Sequence, residues 1–299
     1  MSSGQSAKMY VTFWGTRGSI STPGRNTEKY GGNTPCVSVQ HRDAHIIFDA
    51  GTGIRNLGIE LIETAAANSD PMSLHLFLSH THWDHIQGLP FFQPAYYNGT
   101  KLIIYGSPKK ERFLEAVLRG QMDNEYFPVE MSAFAADLSI REVSEETIRI
   151  GDLTVDWQEQ NFHPGGSVRY RVTVDGKKVV YATDVELNSI FDAKVENDEL
   201  LAMGEEYLEF IDTADLLIAD GQYTDEEYQK YRGWGHTSIP LLLEIAQRAK
   251  VKQLAIFHHD PQHSDKNLDE FWREQSPHFL SGDPQINIFW SREGVTLPI

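Results

Sequence analysis

The stretch Leu76-Phe77-Leu78-Ser79-His80-Thr81-His82-Trp83-Asp84-His85-Ile86-Gln87-Gly88 decides how this chain is read. It sets His80, His82, Asp84 and His85 close together, directly behind an apolar run that reads as a buried strand. Imidazoles two apart in an extended segment converge on one cation, and an Asp-His pair just beyond them turns back towards a second. Ordinary packing requires no such density of imidazole and carboxylate, so the segment is read as a metal site.

Other polar residues stand where apolar runs end. Asp49 lies in Phe48-Asp49-Ala50-Gly51-Thr52-Gly53, His163 in Asn161-Phe162-His163-Pro164, and Asp184 in Val179-Val180-Tyr181-Ala182-Thr183-Asp184. His258 and His259 follow Leu254-Ala255-Ile256-Phe257. Strand ends that run out into loops are where ligand sites are built. The donors are nitrogen and oxygen without thiolate, which fits zinc first and manganese or iron as alternatives. They are too many for one tetrahedral ion. Two divalent ions roughly 3.5–4 Å apart, holding a bridging hydroxide, fit better.

The wider pattern alternates strand and helix. Strands are expected at 10–13, 36–40, 45–48, 74–78, 101–105, 153–158, 168–174, 178–182, 216–219 and 253–257, with hairpin turns at Arg42-Asp43 and Asp175-Gly176. Helices are expected at 54–66, 109–119, 200–211 and 239–249, the last with Ser238 as N-cap and Pro240 in its first turn. Two successive series of strands and helices imply two sheets packed together with helices outside, read as one domain over 1–299. The segment 96–138 is read as an insert that shapes a lid or a homodimer contact. His75, inside a strand, is read as a core imidazole.

Composition narrows the partners. The chain has 299 residues, 40% hydrophobic and 23% charged, as an ordinary globular protein does. No apolar run reaches membrane-spanning length and the first residues carry no signal-peptide pattern, so a cytoplasmic protein is expected. The single Cys36 excludes an internal disulfide. Lys and Arg number 26 against 43 Asp and Glu, a formal charge of −17, and the densest basic cluster is Lys109-Lys110-Glu111-Arg112. Proteins that track a polyanion take much of their affinity from basic stripes, so a large nucleic acid is not the expected partner. A small phosphate ester stays open, because two divalent ions would add about +4 locally.

The His-x-His-x-Asp-His spacing resembles the signature of the metallo-β-lactamase superfamily, and the resemblance runs in order through Asp49, 80–85, His163, Asp184 and 258–259. It implies an αββα four-layer sandwich of two mixed sheets with a dimetal site at one edge. It assigns His80, His82 and His163 to one metal, Asp84, His85 and a late histidine to the other, and Asp184 to both, with Asp49 ordering the motif loop. Phosphodiesterase-like relatives place a small or polar residue before the last ligand. That favours His259 and leaves His258 behind the ligand or facing substrate.

Two further segments, Leu216-Leu217-Ile218-Ala219-Asp220 and Gly233-Trp234-Gly235-His236-Thr237-Ser238, resemble the ribonuclease Z and cyclic-phosphodiesterase branch. There an acidic residue orients a histidine that protonates the leaving alkoxide or binds phosphate, a contribution of about 10²–10⁴ in rate. Relatives that process transfer RNA carry His-Glu where this chain has Ala219-Asp220. The spacing from Asp184 to Asp220 also leaves no room for the extended arm with which ribonuclease Z grips transfer RNA. The start of that branch is similar to Phe13-Trp14-Gly15-Thr16-Arg17-Gly18-Ser19, where Arg17 is either a phosphate clamp or a surface residue on a tight turn.

Asp84, Asp220 and His236 are therefore the candidate catalytic residues, and Arg17, Ser19 and Thr237 the candidate substrate contacts. The expected activity is hydrolysis of a small phosphodiester, cyclic ones included. The alternatives are a metal-dependent hydrolase of a lactone, thioester or β-lactam, and a non-catalytic metal-binding sensor. A redox centre fits less well, because oxygen-reducing relatives carry Glu at the position of His82.

Overall fold

The computed structural model describes residues 8–68, 71–107, 113–143, 147–191, 197–279 and 286–299. Its strands are β1 (Tyr10–Gly15), β2 (Cys36–His41), β3 (Ala44–Phe48), β4 (Met72–Phe77), β5 (Thr100–Gly106), β6 (Asp137–Glu142) and β7 (Ile148–Ile150). They continue as β8 (Leu153–Gln160), β9 (Ser167–Val174), β10 (Lys177–Ala182), β11 (Leu216–Asp220), β12 (Gln253–Phe257), β13 (Asn287–Trp290) and β14 (Thr296–Pro298). The helices are α1 (Ile54–Asn68), α2 (Trp83–Ile86), α3 (Leu114–Gly120), α4 (Leu187–Phe191), α5 (Asp198–Ile211), α6 (Asp225–Tyr231), α7 (Ile239–Arg248) and α8 (Asp265–Phe279).

The fold is α/β, with two mixed seven-stranded sheets ordered β14-β1-β2-β3-β4-β5-β6 and β13-β12-β11-β10-β9-β8-β7. The chain divides into two compact units, one of residues 1–21, 33–146 and 292–299, the other of 22–32 and 147–291.

In the first unit, β2 and β3 form an antiparallel hairpin pairing Gln40 with His45, and β3, β4, β5 and β6 then run parallel. Ile47, Leu74, Leu76, Leu102 and Ile104 pack with Ile54 and Leu57 of α1. Buried positions 54, 57 and 65 of that helix fall on one stripe, the spacing that drives an amphipathic helix onto a sheet. Each fully buried aliphatic side chain contributes about 1.5–3 kcal/mol.

In the second unit, β8, β9 and β10 are antiparallel neighbours, with a turn at Asp175-Gly176, and β10, β11, β12 and β13 run parallel. Parallel strands buried by helices read as unbroken apolar runs, and all five residues of β11 are buried. Ile239, Leu242, Leu243 and Ala246 of α7 pack with Leu217, Leu254 and Ile256.

Several expectations change. Segment 96–138 is largely frame, because β5 and α3 lie within it and Leu118, Met122 and Met131 are buried in the core. Its aromatics divide: Tyr105 is buried, while Tyr97 and Tyr126 are exposed. The expected helix at 109–119 falls partly outside the described residues, its described part being α3, and the basic cluster at 109–112 lies wholly outside them. Ser238 stands at the N-cap of α7 without capping by its side chain. Its N–H instead donates to Asn188 Oδ1 at 2.8 Å, and its hydroxyl accepts from Asn188 Nδ2 at 2.9 Å. Among the described residues no helix is long and apolar enough to cross a membrane.

Candidate metal centre

In the first unit the donors leave the end of β4 on one loop. His80, Asp84 and His85 are buried, and the His80 ring centroid lies 4.5 Å from that of His82 and 4.2 Å from that of His85. Asp49, just past β3, is fully buried in a left-handed conformation at φ 60°. Its carboxylate accepts from the Ser79 N–H at 2.7 Å and the Ser79 hydroxyl at 2.8 Å, and meets His85 Nδ1 at 2.8 Å. An acceptor there sets the proton on Nδ1 and turns Nε2 outward as the metal-competent atom, 3.2 Å from Asp84 Oδ2. Asp84 Oδ2 also accepts from the Ser19 N–H at 2.8 Å.

In the second unit the ends of β8, β10, β11 and β12 supply one donor each. His163 follows β8, and its Nδ1 donates to the Gly235 carbonyl at 3.0 Å, leaving Nε2 3.8 Å from Asp184 Oδ1. Gly235 has φ +89°, and a Cβ there would stand 2.4 Å from His163 Nδ1, so only glycine allows this approach. Asp184, past β10, is buried at φ 57°, with Oδ2 accepting from the Thr183 hydroxyl at 2.6 Å. Asp220 closes β11 and accepts from His236 Nδ1 at 2.7 Å. His258, past β12 at φ 61°, stacks on His236 at 5.0 Å and brings Nε2 to 3.5 Å from Asp184 Oδ1. His163, Asp184 and His236 offer donor atoms all within 4.8 Å of one another, and so do Asp220, His236 and His258. Imidazole beside buried carboxylate, with the outer ring nitrogen held by protein, suits a divalent cation.

Of the two late histidines, the structure sets His258 rather than His259 beside Asp184. His259 directs Nε2 to the Ser291 carbonyl at 2.9 Å, between the edges of Tyr30 and Trp290. The expectation of His259 rested on the spacing in phosphodiesterase-like relatives, and here the left-handed turn at His258, φ 61°, comes directly after β12.

The expected substrate contacts also change. Arg17 is fully buried and its charge acts on Glu293, so it is no surface residue. Thr237 is fully buried, its hydroxyl donating to the Val185 carbonyl at 2.5 Å and accepting from the Leu187 N–H at 3.1 Å. Ser19 is exposed, and its N–H serves Asp84.

Glu186 was not singled out from sequence. It is buried, and its carboxylate accepts from the N–H groups of Gly233 and Gly235, the Tyr228 hydroxyl and the Ser189 hydroxyl, at 2.7 to 3.1 Å. It thereby fixes the loop whose Gly235 carbonyl orients His163. A carboxylate two residues past Asp184 was the available signal. Tyr228 is pushed up to about 12 by burial and by this carboxylate.

Two mixed sheets carrying imidazole and carboxylate at their strand ends define a metal-dependent hydrolase. Residues 44–259 match the model of the beta-lactamase superfamily domain, and the chain belongs to that family. Ribonuclease Z of Pyrococcus horikoshii is 26% identical over 288 residues, spanning 87% of this chain and 89% of that protein. Among solved structures, the metallo-beta-lactamase fold protein YhfI from Bacillus subtilis is 20% identical, with a TM-score of 0.66 over 98% of this chain and 100% of that one. A diphosphatase from the PhnP family is 16% identical, with a TM-score of 0.64 over 98% of this chain and 97% of that one. The fold family implies divalent metals.

Proposed function

We propose that the chain is a dinuclear metal-dependent phosphodiesterase acting on a small phosphodiester, cyclic ones included. The observation that carries this reading is the 2.7 Å hydrogen bond from His236 Nδ1 to Asp220, both buried beside Asp184 and His258. His80, His82 and His163 would hold one ion, and Asp84, His85 and His258 the other, with Asp184 shared, as the family resemblance assigns. His258 replaces His259 because the Nε2 of His259 is engaged by Ser291. Zinc is the ion this donor set fits first. When bound, the ions would polarise a phosphoryl oxygen and acidify a water.

The protein's own part is proton transfer and orientation. Asp220 holds the Nδ1 proton of His236, so the imidazolium gives its Nε2 proton to the departing oxygen. A water that has given up a proton bonds through its oxygen to phosphorus, the P–O bond to the departing oxygen breaks as the imidazolium proton reaches that oxygen, and the alcohol leaves neutral beside a phosphomonoester. Asp220 stabilises the imidazolium until that moment. The Glu186-anchored loop keeps His163 and His236 in place. A formal charge of −17 supports a small substrate, and the relative named ribonuclease Z supports the phosphodiester class.

The test is His236→Ala, with metal content measured beside turnover of bis(p-nitrophenyl) phosphate. Metal should be retained while turnover falls about 10²–10⁴-fold. Unchanged turnover removes His236 from the mechanism. Turnover of lactones or thioesters, with none of the phosphodiester, moves the enzyme to the other bond class.

A further inference from the structure

Trp234 is 61% exposed, two residues before His236, on a loop that is pinned rather than loose. The Gly233 N–H lies 2.9 Å and the Gly235 N–H 3.1 Å from Glu186 Oε2, so one buried carboxylate holds the backbone on both sides of the indole. The Trp234 N–H donates to the Tyr231 carbonyl at 3.1 Å. A run of rings leads inward from it. Trp234 lies 5.0 Å from Tyr231, Tyr231 stacks at 5.1 Å and 30° on Tyr223, and Tyr223 meets His236 edge-on at 5.8 Å. Apart from its chain neighbours, no atom stands within 4 Å of where a Cβ on Gly233 would project, so the loop is open to solvent at that residue.

Packing does not account for this arrangement. Exposing a large ring forgoes the stabilisation that burying it would give, and a loop tip free to move would fold the ring down onto the surface. Here the backbone clamp prevents that. One indole face is too small for a protein interface, which needs about 800 Å² per partner. It does match one planar heterocycle, whose stacking on an aromatic side chain contributes about 1–3 kcal/mol whatever the base.

We infer that Trp234 is a stacking residue for a nucleobase, so that the phosphodiester cleaved beside His236 belongs to a nucleotide. The inference rests on the phosphodiesterase reading and names its substrate class. Glu186 is the positioning residue that presents the ring.

The test compares equilibrium binding of adenosine 5′-monophosphate and ribose 5-phosphate to the metal-loaded protein, in the wild type, Trp234→Phe and Trp234→Ala. The wild type should bind the nucleotide about ten-fold or more tightly than the sugar phosphate. Trp234→Ala should lose that preference at unchanged metal content and unchanged ribose 5-phosphate affinity, and Trp234→Phe should keep part of it. Equal affinity for both ligands in the wild type, or an undiminished preference in Trp234→Ala, overturns the inference. Bis(p-nitrophenyl) phosphate turnover by the wild type is measured in parallel. If it is present, such a binding result sinks the base-stacking role alone; if it is absent, the phosphodiesterase reading fails and takes this one with it.

Discussion

The two units share a wiring diagram and use it differently. In each, the central strand of the sheet, β3 or β10, pairs antiparallel with the strand before it and parallel with the strand after it. In each, an aspartate past that strand takes a left-handed conformation, Asp49 at 60° and Asp184 at 57°. Asp49 turns its carboxylate onto its own chain, meeting Ser79 and His85. Asp184 turns Oδ1 towards the ring nitrogens of His163 and His258. The same backbone device thus builds a brace in one unit and a donor in the other.

The largest expected effect tests that contrast directly. Asp49→Ala strands three buried donors and should destabilise the fold by about 3–5 kcal/mol in urea titrations of the metal-free protein. Asp184→Ala strands only the Thr183 hydroxyl, so it should cost less, about 1–3 kcal/mol, and instead lower bound metal. If the two variants lose stability equally, the division into brace and donor is wrong.

A smaller effect belongs to Glu186, the brace of the second unit. In Glu186→Gln the amide nitrogen cannot accept from the glycine N–H groups or the hydroxyls, so Gly235 releases His163. Metal binding, read by competition with a chelator, should weaken about ten-fold. An unchanged affinity would show that the loop holds without it.

The smallest is a pH effect confined to the first unit. Burial, followed by the charges of Lys101 and Arg141, lowers His75 to about 4, and its Nδ1 lies 3.1 Å from the Tyr105 hydroxyl. The folded state holds this ring neutral, so its contribution is complete above pH 6.5 and is lost as pH falls through about 4. His75→Gln should remove that acid-side loss, on the order of 1 kcal/mol for a half-buried group, in urea midpoints measured between those pH values. A wild-type profile flat across the window would place the ring's proton elsewhere.

What was legible in the sequence follows the same contrast. The first unit packs its donors onto one loop, so 80–85 reads as a motif. The second unit distributes its donors over β8, β10, β11 and β12, and a residue at a strand end is recognised only once the strand is. The long apolar strands and α1, α5 and α7 were readable from their periodicity. β6, β7, β13, β14, α4, α6 and α8 were not, because their burial is sparse or partial, as in α8 with Leu268 buried and Phe271 and Trp272 half-buried. Which late histidine faces Asp184 depends on one backbone angle at His258, and no pattern of residue types carries that.

One feature of the first sheet sets a clock. Its edge strand β14 pairs with β1, where the Thr12 and Thr296 hydroxyls meet at 2.9 Å across 284 positions of chain. At about 5–20 residues per second, a ribosome takes some tens of seconds to travel that far. For that interval β1 is a strand with one side open, the condition that invites pairing with another nascent chain. That opening closes only when the residues of β14 have emerged and paired with β1.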